Sequence, residues 1–317
     1  MLEPEGIQRT TKPVAPNPST RLDRILEDLR QVLFDPTGTD DLPGRVVAIA
    51  ASLSSYVAKD ADRALFLMHR HRPDRHAFYS VLHAARCAIA CELITRRLGW
   101  SESDAASLMK AALTMNIAIT ELQGTLALRA RSNKPTPEQA LAIAGHPTRG
   151  AEILLGAGVD DVEWLRAVAQ HHERVDGRGY PTGTCEPSRL AGVLRHVDDF
   201  FAKTSARASR PALPWRRAAG QLFADAGARP IVEALIKEFG LYPPGTFVRL
   251  ANGDLGIVMR RTTRVDAPLA VALANRNGDR LPCPLRRDTG DTRYTIVMAS
   301  NANGPTTTRR QMAAETS

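Results

Sequence analysis

Apolar residues recur every three or four positions along most of the first 240 residues, and gather in short β-branched runs beyond them. The first pattern is that of helices with one buried face, the second that of strands. Leu22, Ile25, Leu26, Leu29, Val32 and Leu33 make one apolar stripe, which Ser19 and Thr20 can cap. The breaker-rich stretch 35–44 (DPTGTDDLPG) ends it, and two further helices are expected over 46–56 and 61–71. Asp74 is expected to cap a long helix running to Leu98, with Gly99 as its stop. Ser101 and Asp104 open the next, over 105–119. Thr136-Pro137-Glu138 opens another, which bends at Gly145-His146-Pro147 and reaches Leu155. Further helices are expected over 159–171, 188–203, 215–224 and 230–239.

The pattern changes at Leu241. Runs reading FVRL, GIVM, LAVAL and YTIVM are broken by Asn252-Gly253 and Asn277-Gly278, pairs that favour tight hairpins. The expected fold is mainly α, an all-helical domain with N-terminal helices and a small C-terminal antiparallel β domain. Its parts are a disordered 1–19, an N-terminal helical region 20–73, a helical domain 74–240, a β domain 241–299 and a disordered tail 300–317. The N-terminal helices are expected to pack on the next domain or on a second copy, which would give a homodimer.

Composition narrows the class. A chain of 317 residues with 43% hydrophobic and 24% charged residues buries a substantial core. No apolar run in the sequence approaches the ~18 to 20 residues of a membrane span, and the N-terminus lacks an apolar signal core, so a cytoplasmic protein is expected. Cys87 and Cys91 lie one helical turn apart and read as small buried residues. The net charge of +8 favours an anionic partner. Nucleic acid is discounted, because the basic residues are dispersed and aromatic content is 5%.

The candidate chemistry lies at residues 171–181, HHERVDGRGYP. Two adjacent histidines end an amphipathic run, and Gly177, Gly179 and Pro181 turn the chain into a loop beside them. On residues alone, a vicinal His pair is more often a polar helix end than a ligand set. The whole string, however, resembles the HHExxDGxGYP signature of the HD-GYP family, metal-dependent HD phosphohydrolases that act on cyclic di-GMP. The resemblance covers roughly 74–239, and YPPGTFVRLANGDLGIVMR resembles the β appendage that follows many such domains.

The resemblance implies an HD-type helical fold and a metal-ligand set. His83 fits the His of the first long helix, His146 in GHP the lone His, and His171 and His172 the signature pair. Asp198 fits the carboxylate of the following helix. Asp176, Gly179, Tyr180, Pro181 and Arg207 fall on ligand-binding positions, although Ala208 and Ser209 depart from the usual Pro-Tyr after that arginine. Arg174 and Arg178 lie within the signature, where each is a dinucleotide contact or a solvated surface charge. Tyr79 stands where members with a third metal carry a carboxylate. The His-Asp doublet and its lysine are replaced, in AALTMNIAI, by Met115, Asn116 and Ile119.

These losses have separate costs. In two-metal phosphodiesterases the ions lie ~3.5 to 4 Å apart, and an anionic bridge offsets their repulsion. Asn116 is neutral, Met115 offers a soft thioether, and Ile119 removes a cation near the substrate phosphate. One centre is left with His83 and Asp198, each of which also reads as an ordinary core or salt-bridge residue. The other keeps His146, His171 and His172, enough for one Zn, Fe or Mn ion. His69, His71, His76 and His196 carry no motif and read as surface. The resemblance therefore implies a catalytically impaired nucleotide-binding or protein-interaction module of cyclic di-GMP signalling, with a dinucleotide or a protein as partner. The alternative is an active phosphodiesterase working through the reduced three-His site.

Overall fold

The protein is described by a computed structural model over residues 18–70, 76–129, 134–207, 211–225 and 227–300. Within these lie α1 (Pro18–Phe34), α2 (Leu42–Lys59), α3 (Ala61–Arg70), α4 (His76–Leu98), α5 (Glu102–Thr114) and α6 (Thr120–Ala127). They continue with α7 (Pro137–Gly156), α8 (Val162–Gln170), α9 (Arg189–Thr204), α10 (Trp215–Leu222) and α11 (Arg229–Phe239). Strands β1 (Phe247–Leu250), β2 (Leu255–Arg260), β3 (Leu269–Ala274), β4 (Arg280–Asp288) and β5 (Ile296–Ser300) close the chain. The expected mainly α fold with a small antiparallel sheet is the observed one. Asp74, His71, Ala208, Ser209 and most of both expected disordered ends lie outside the described residues.

The helix starts show where local chemistry was misread. α1 begins at Pro18, so Ser19 and Thr20 lie inside its first turn rather than capping it. α2 begins at Leu42, four residues early, because Asp41 adopts a left-handed conformation and its carboxylate accepts from Gly44 N. Pro43 and Gly44, read as breakers, are that helix's opening turn. The helix opening at Thr136 is present as read, and the structure makes it a capping box with Gln139 as the partner. The helix expected over 105–119 is broken. It stops at Thr114, and a 3-10 turn at Ile117–Ile119 leads into α6. Gly150 of α7 packs against Ile117 and the Met115 carbonyl, an approach that a continuous helix would not offer.

α4 is the axis of the helical part. Leu82, Ala85, Cys87, Ala88 and Ile94 are buried along it, and α1, α2, α5, α6, α9 and α11 surround it. Its segment Phe78–Leu98 does have the length and hydropathy of a membrane span, contrary to the sequence reading, and 89% of it is buried inside the protein. Leu22, Leu26 and Leu29 of α1 belong to the same continuous core. The N-terminal stripe is thus covered by α2, α4 and α6 of the same chain.

The strands form one sheet in the order β4-β3-β2-β1-β5, each pair antiparallel. Gly253 and Gly278 take positive φ in the two Asn-Gly turns, as those pairs imply. The sheet docks on the helices through charge. Arg261 Nε donates to Asp62 Oδ1 at 2.6 Å, its Nη1 to the Glu238 carbonyl, and Arg70 lies 4.5 Å over the Phe247 ring.

Candidate metal centre and its loop

Proline and a helix end aim two of the histidines. Pro147 lies inside α7 and has no N–H, which leaves the carbonyl of Ile143 without its helical donor. His146 Nδ1 sits 2.6 Å from that oxygen. α8 ends at Gln170, so the Val168 carbonyl is one of its orphan acceptors, and His171 Nδ1 lies 2.7 Å from it. α8 is itself held on α5, where Trp164 Nε1 donates to Thr114 Oγ1 at 2.8 Å and Asp161 accepts from Lys110 and Ser107.

This geometry dictates the tautomers. A carbonyl only accepts, so each Nδ1 carries the proton and each Nε2 presents a lone pair. Those two Nε2 atoms face each other at 3.1 Å. Burial lowers His146 to about 4 and pushes His171 well below its ordinary value, so neither imidazole supplies a bridging proton at neutral pH. Two buried lone pairs at that distance repel, and a cation between them removes the repulsion. His172 completes the group, with ligand atoms of all three within 4.8 Å of one another. Tyr180 stacks on His172, ring centroids 4.6 Å apart, and walls off one side.

A second group lies beside it. His83 Nε2 is 2.6 Å from Asp198 Oδ1, and Cys87 Sγ is 3.8 Å from the same nitrogen. Burial works to raise Asp198, yet the hydrogen bond from His83 and the neighbouring histidines hold its carboxyl well below the carboxylate range. Its other oxygen, Oδ2, lies 4.0 Å from His172 Nε2, so one carboxylate touches both groups. Burial holds the Cys87 thiol high in the absence of a cation. His83 Nδ1 is buried and has no hydrogen-bond partner among the described residues. Both groups fit a divalent metal, since nitrogen, sulfur and carboxylate donors converge from separate helices.

The loop after the histidines is fastened from below. Glu173 is buried and accepts from Thr182 N, Thr182 Oγ1 and Gly183 N. Gly179 has no room for a side chain, because a Cβ there would meet Arg174 N and Glu173 Cα at 2.5 Å. The Tyr180–Pro181 peptide is cis. Asp176 is committed to this loop, accepting from Arg174 and from Arg178 N, and the Arg174 hydrogen bond lowers it to about 2. Arg174 also pairs with Asp225 at 3.5 Å. Arg207 Nε donates to the Tyr79 hydroxyl at 2.8 Å. Of the replaced positions, Met115 is fully buried, whereas Asn116 and Ile119 keep partial exposure.

Cys87 and Glu173 carry parts that sequence reasoning did not assign. For Cys87 the signal was available, four residues after His83 and hence on the same helix face. His196 was read as surface and is buried, where desolvation lowers it to about 4. His69 is half-buried, and desolvation takes it to about 3. The side chain of His76 is not among those described.

Comparison with known proteins points to the HD domain. Residues 73–229 match the HD domain family. The chain is 34% identical over 142 residues to the cyclic di-GMP phosphodiesterase PA4108 of Pseudomonas aeruginosa, covering 42% of this chain and 34% of that protein. It is 29% identical over 143 residues to the 3'3'-cGAMP-specific phosphodiesterase 3 of Vibrio cholerae, covering 44% and 30%. It is 30% identical over 138 residues to the cyclic di-GMP phosphodiesterase response regulator RpfG of Xanthomonas campestris, covering 43% and 36%. The chain thus spans about a third of the length of these curated relatives. Among solved structures, Bd1817, a HDG"Y"P protein from Bdellovibrio bacteriovorus, shares the fold with a TM-score of 0.53 at 17% identity, over 71% of this chain and 73% of that one. With its signature loop, its converging histidines and these relatives, the chain belongs to the HD-GYP family.

Proposed function

We propose that this chain binds a cyclic dinucleotide of the cyclic di-GMP class, acts as a catalytically impaired module of that signalling, and holds a divalent ion through His146, His171 and His172. The observation that carries the reading is the 3.1 Å approach of two lone-pair nitrogens, His146 Nε2 and His171 Nε2, in a buried site. Each is locked in that tautomer by a backbone carbonyl, which is how metal-ligating histidines are oriented. An ion held there supplies electrophilic activation to a phosphodiester oxygen. The chain's own residues orient it, exclude water through Tyr180 and the fixed loop, and place the Asp198 carboxylate beside it. Impairment follows from Met115, Asn116 and Ile119, which remove an imidazole, an anionic bridge and a substrate-facing cation.

One observation favours an active reduced-site phosphodiesterase instead: Asp198 faces both donor groups. Cys87 makes the His83 group softer than carboxylate and imidazole alone, which favours Zn over Mn there. Metal analysis of the purified full chain, then cyclic di-GMP binding and turnover with added Mn or Fe, tests the proposal. Bound metal with nucleotide binding and no turnover supports it. Turnover that His172→Ala abolishes supports the active reading. Absence of both metal and nucleotide binding overturns both.

A further inference from the structure

A cavity of about 160 Å³ lies away from the histidine cluster, where α3, α4, α9, α10 and α11 meet the segment leading into the sheet. Phe201, Trp215 and Phe239 wall it as a set of mutually contacting rings, with centroids 5.1 to 5.9 Å apart. Arg86 enters from α4 on the same face as Tyr79 and His83. Among the described lining residues there is no carboxylate.

Arg86 is thus a half-buried cation with no carboxylate partner among the described residues, which is costly unless something compensates it. Its Nε and Nη2 donate to the Met68 carbonyl at 3.2 and 2.7 Å, and its Nη1 to Ser205 Oγ at 3.3 Å. Met68 is in the last turn of α3 and Ser205 caps the end of α9, so two helix C-termini bring partial negative charge. Burial still depresses Arg86 below the usual arginine value. A guanidinium has five N–H donors, and these contacts use three. Among the described residues one N–H on each Nη has no partner, and a carboxylate can take such a pair in bidentate fashion. His69, the other basic group on the lining, is held neutral by burial and by Arg86 and Arg70 beside it, so it does not compete for an anion.

We infer that this cavity is a binding site for a small aromatic monocarboxylate, its ring among Phe201, Trp215 and Phe239 and its carboxylate on Arg86. An apolar cavity of about 150 Å³ accepts a benzene-sized body, which sets the scale of the ring. An occupant would lie one residue from the His83 group, because Tyr79 lines the cavity and stacks on His83 with centroids 6.2 Å apart. The inference does not depend on the nucleotide reading.

Calorimetry and thermal unfolding of the full chain with phenylacetate, phenylacetamide, acetate and phosphate test it. Phenylacetate is expected to bind at least tenfold more tightly than phenylacetamide or either small anion, and to raise the melting temperature. Arg86→Met is expected to abolish the preference of acid over amide. Should that variant fail to fold, Ala212→Leu, which fills the cavity wall, is expected to lose both aromatic ligands. Equal binding of acid and amide, an adventitious small-anion response alone, or displacement of phenylacetate by cyclic di-GMP would each overturn the inference.

Discussion

His83 on α4 and Asp198 on α9 meet at 2.6 Å across the core. They lie 115 positions apart in the chain, so their contact ties α4 to α9 across the candidate site. The same carboxylate reaches toward His172, which places it between two donor groups that the replaced His-Asp doublet leaves otherwise unconnected.

Asp198→Asn keeps the shape and removes the charge, so it separates packing from electrostatics. The metal-free variant is expected to lose on the order of 2 kcal/mol, the scale of a buried hydrogen bond to a charged group, seen as a lower urea midpoint. Metal content is expected to fall as well. An unchanged midpoint would show that His83 and Asp198 do not pair in solution.

The sheet and most helices were legible because their signals are local. Asn-Gly turns need positive φ, and caps bind backbone within three residues. Even His196 was legible in principle, since it lies three residues after Val193 on the buried stripe of α9. The break at Met115 was not, because the surface it packs against, Gly150 of α7, belongs to a later helix that local spacing does not report. The histidines were found through their motif. That Pro147 frees the carbonyl that orients His146 is a consequence of helix geometry, and no spacing rule reports it. The double reach of Asp198 required the packing of α9 against both α4 and α8.

The loop predicts a sharp intolerance at Gly179. A methyl group there would overlap backbone atoms of Glu173 and Arg174, which cannot rotate away. Gly179→Ala is expected to destabilise the chain by more than about 1 kcal/mol and to raise amide exchange of residues 173–183. Glu173→Gln is expected to loosen the same loop, since a neutral amide accepts the Thr182 and Gly183 donors less strongly. Exchange protection that stays at the parent level in both variants would refute this account of the loop.

Restoring the doublet tests the reading of Met115 and Asn116 directly. Met115→His with Asn116→Asp returns an imidazole and an anion to the positions that the resemblance assigns to the doublet. Metal stoichiometry is expected to rise by about one ion per chain, measured by elemental analysis after gel filtration. If the stoichiometry does not change, these residues do not face the donor groups.

Acid sensitivity follows from the buried histidines, and His196 isolates it away from the three-His group. Burial and then Arg195 lower its folded pKa to about 4, against Asp225 and Asp199, which favour the charged form. In the unfolded chain it titrates near 6.5. Between those values the unfolded chain binds a proton that the folded chain refuses, so stability is full above pH 6.5 and declines as pH falls toward 4. From pH 7 to pH 5 this one residue is expected to cost on the order of 1 to 2 kcal/mol. Urea unfolding of the metal-free protein at the two pH values reads the loss, and His196→Gln, which cannot protonate, is expected to lose correspondingly less. Equal losses in parent and variant would place the acid sensitivity elsewhere, with His69 as the next residue to replace, because its folded pKa lies lower still, at about 3.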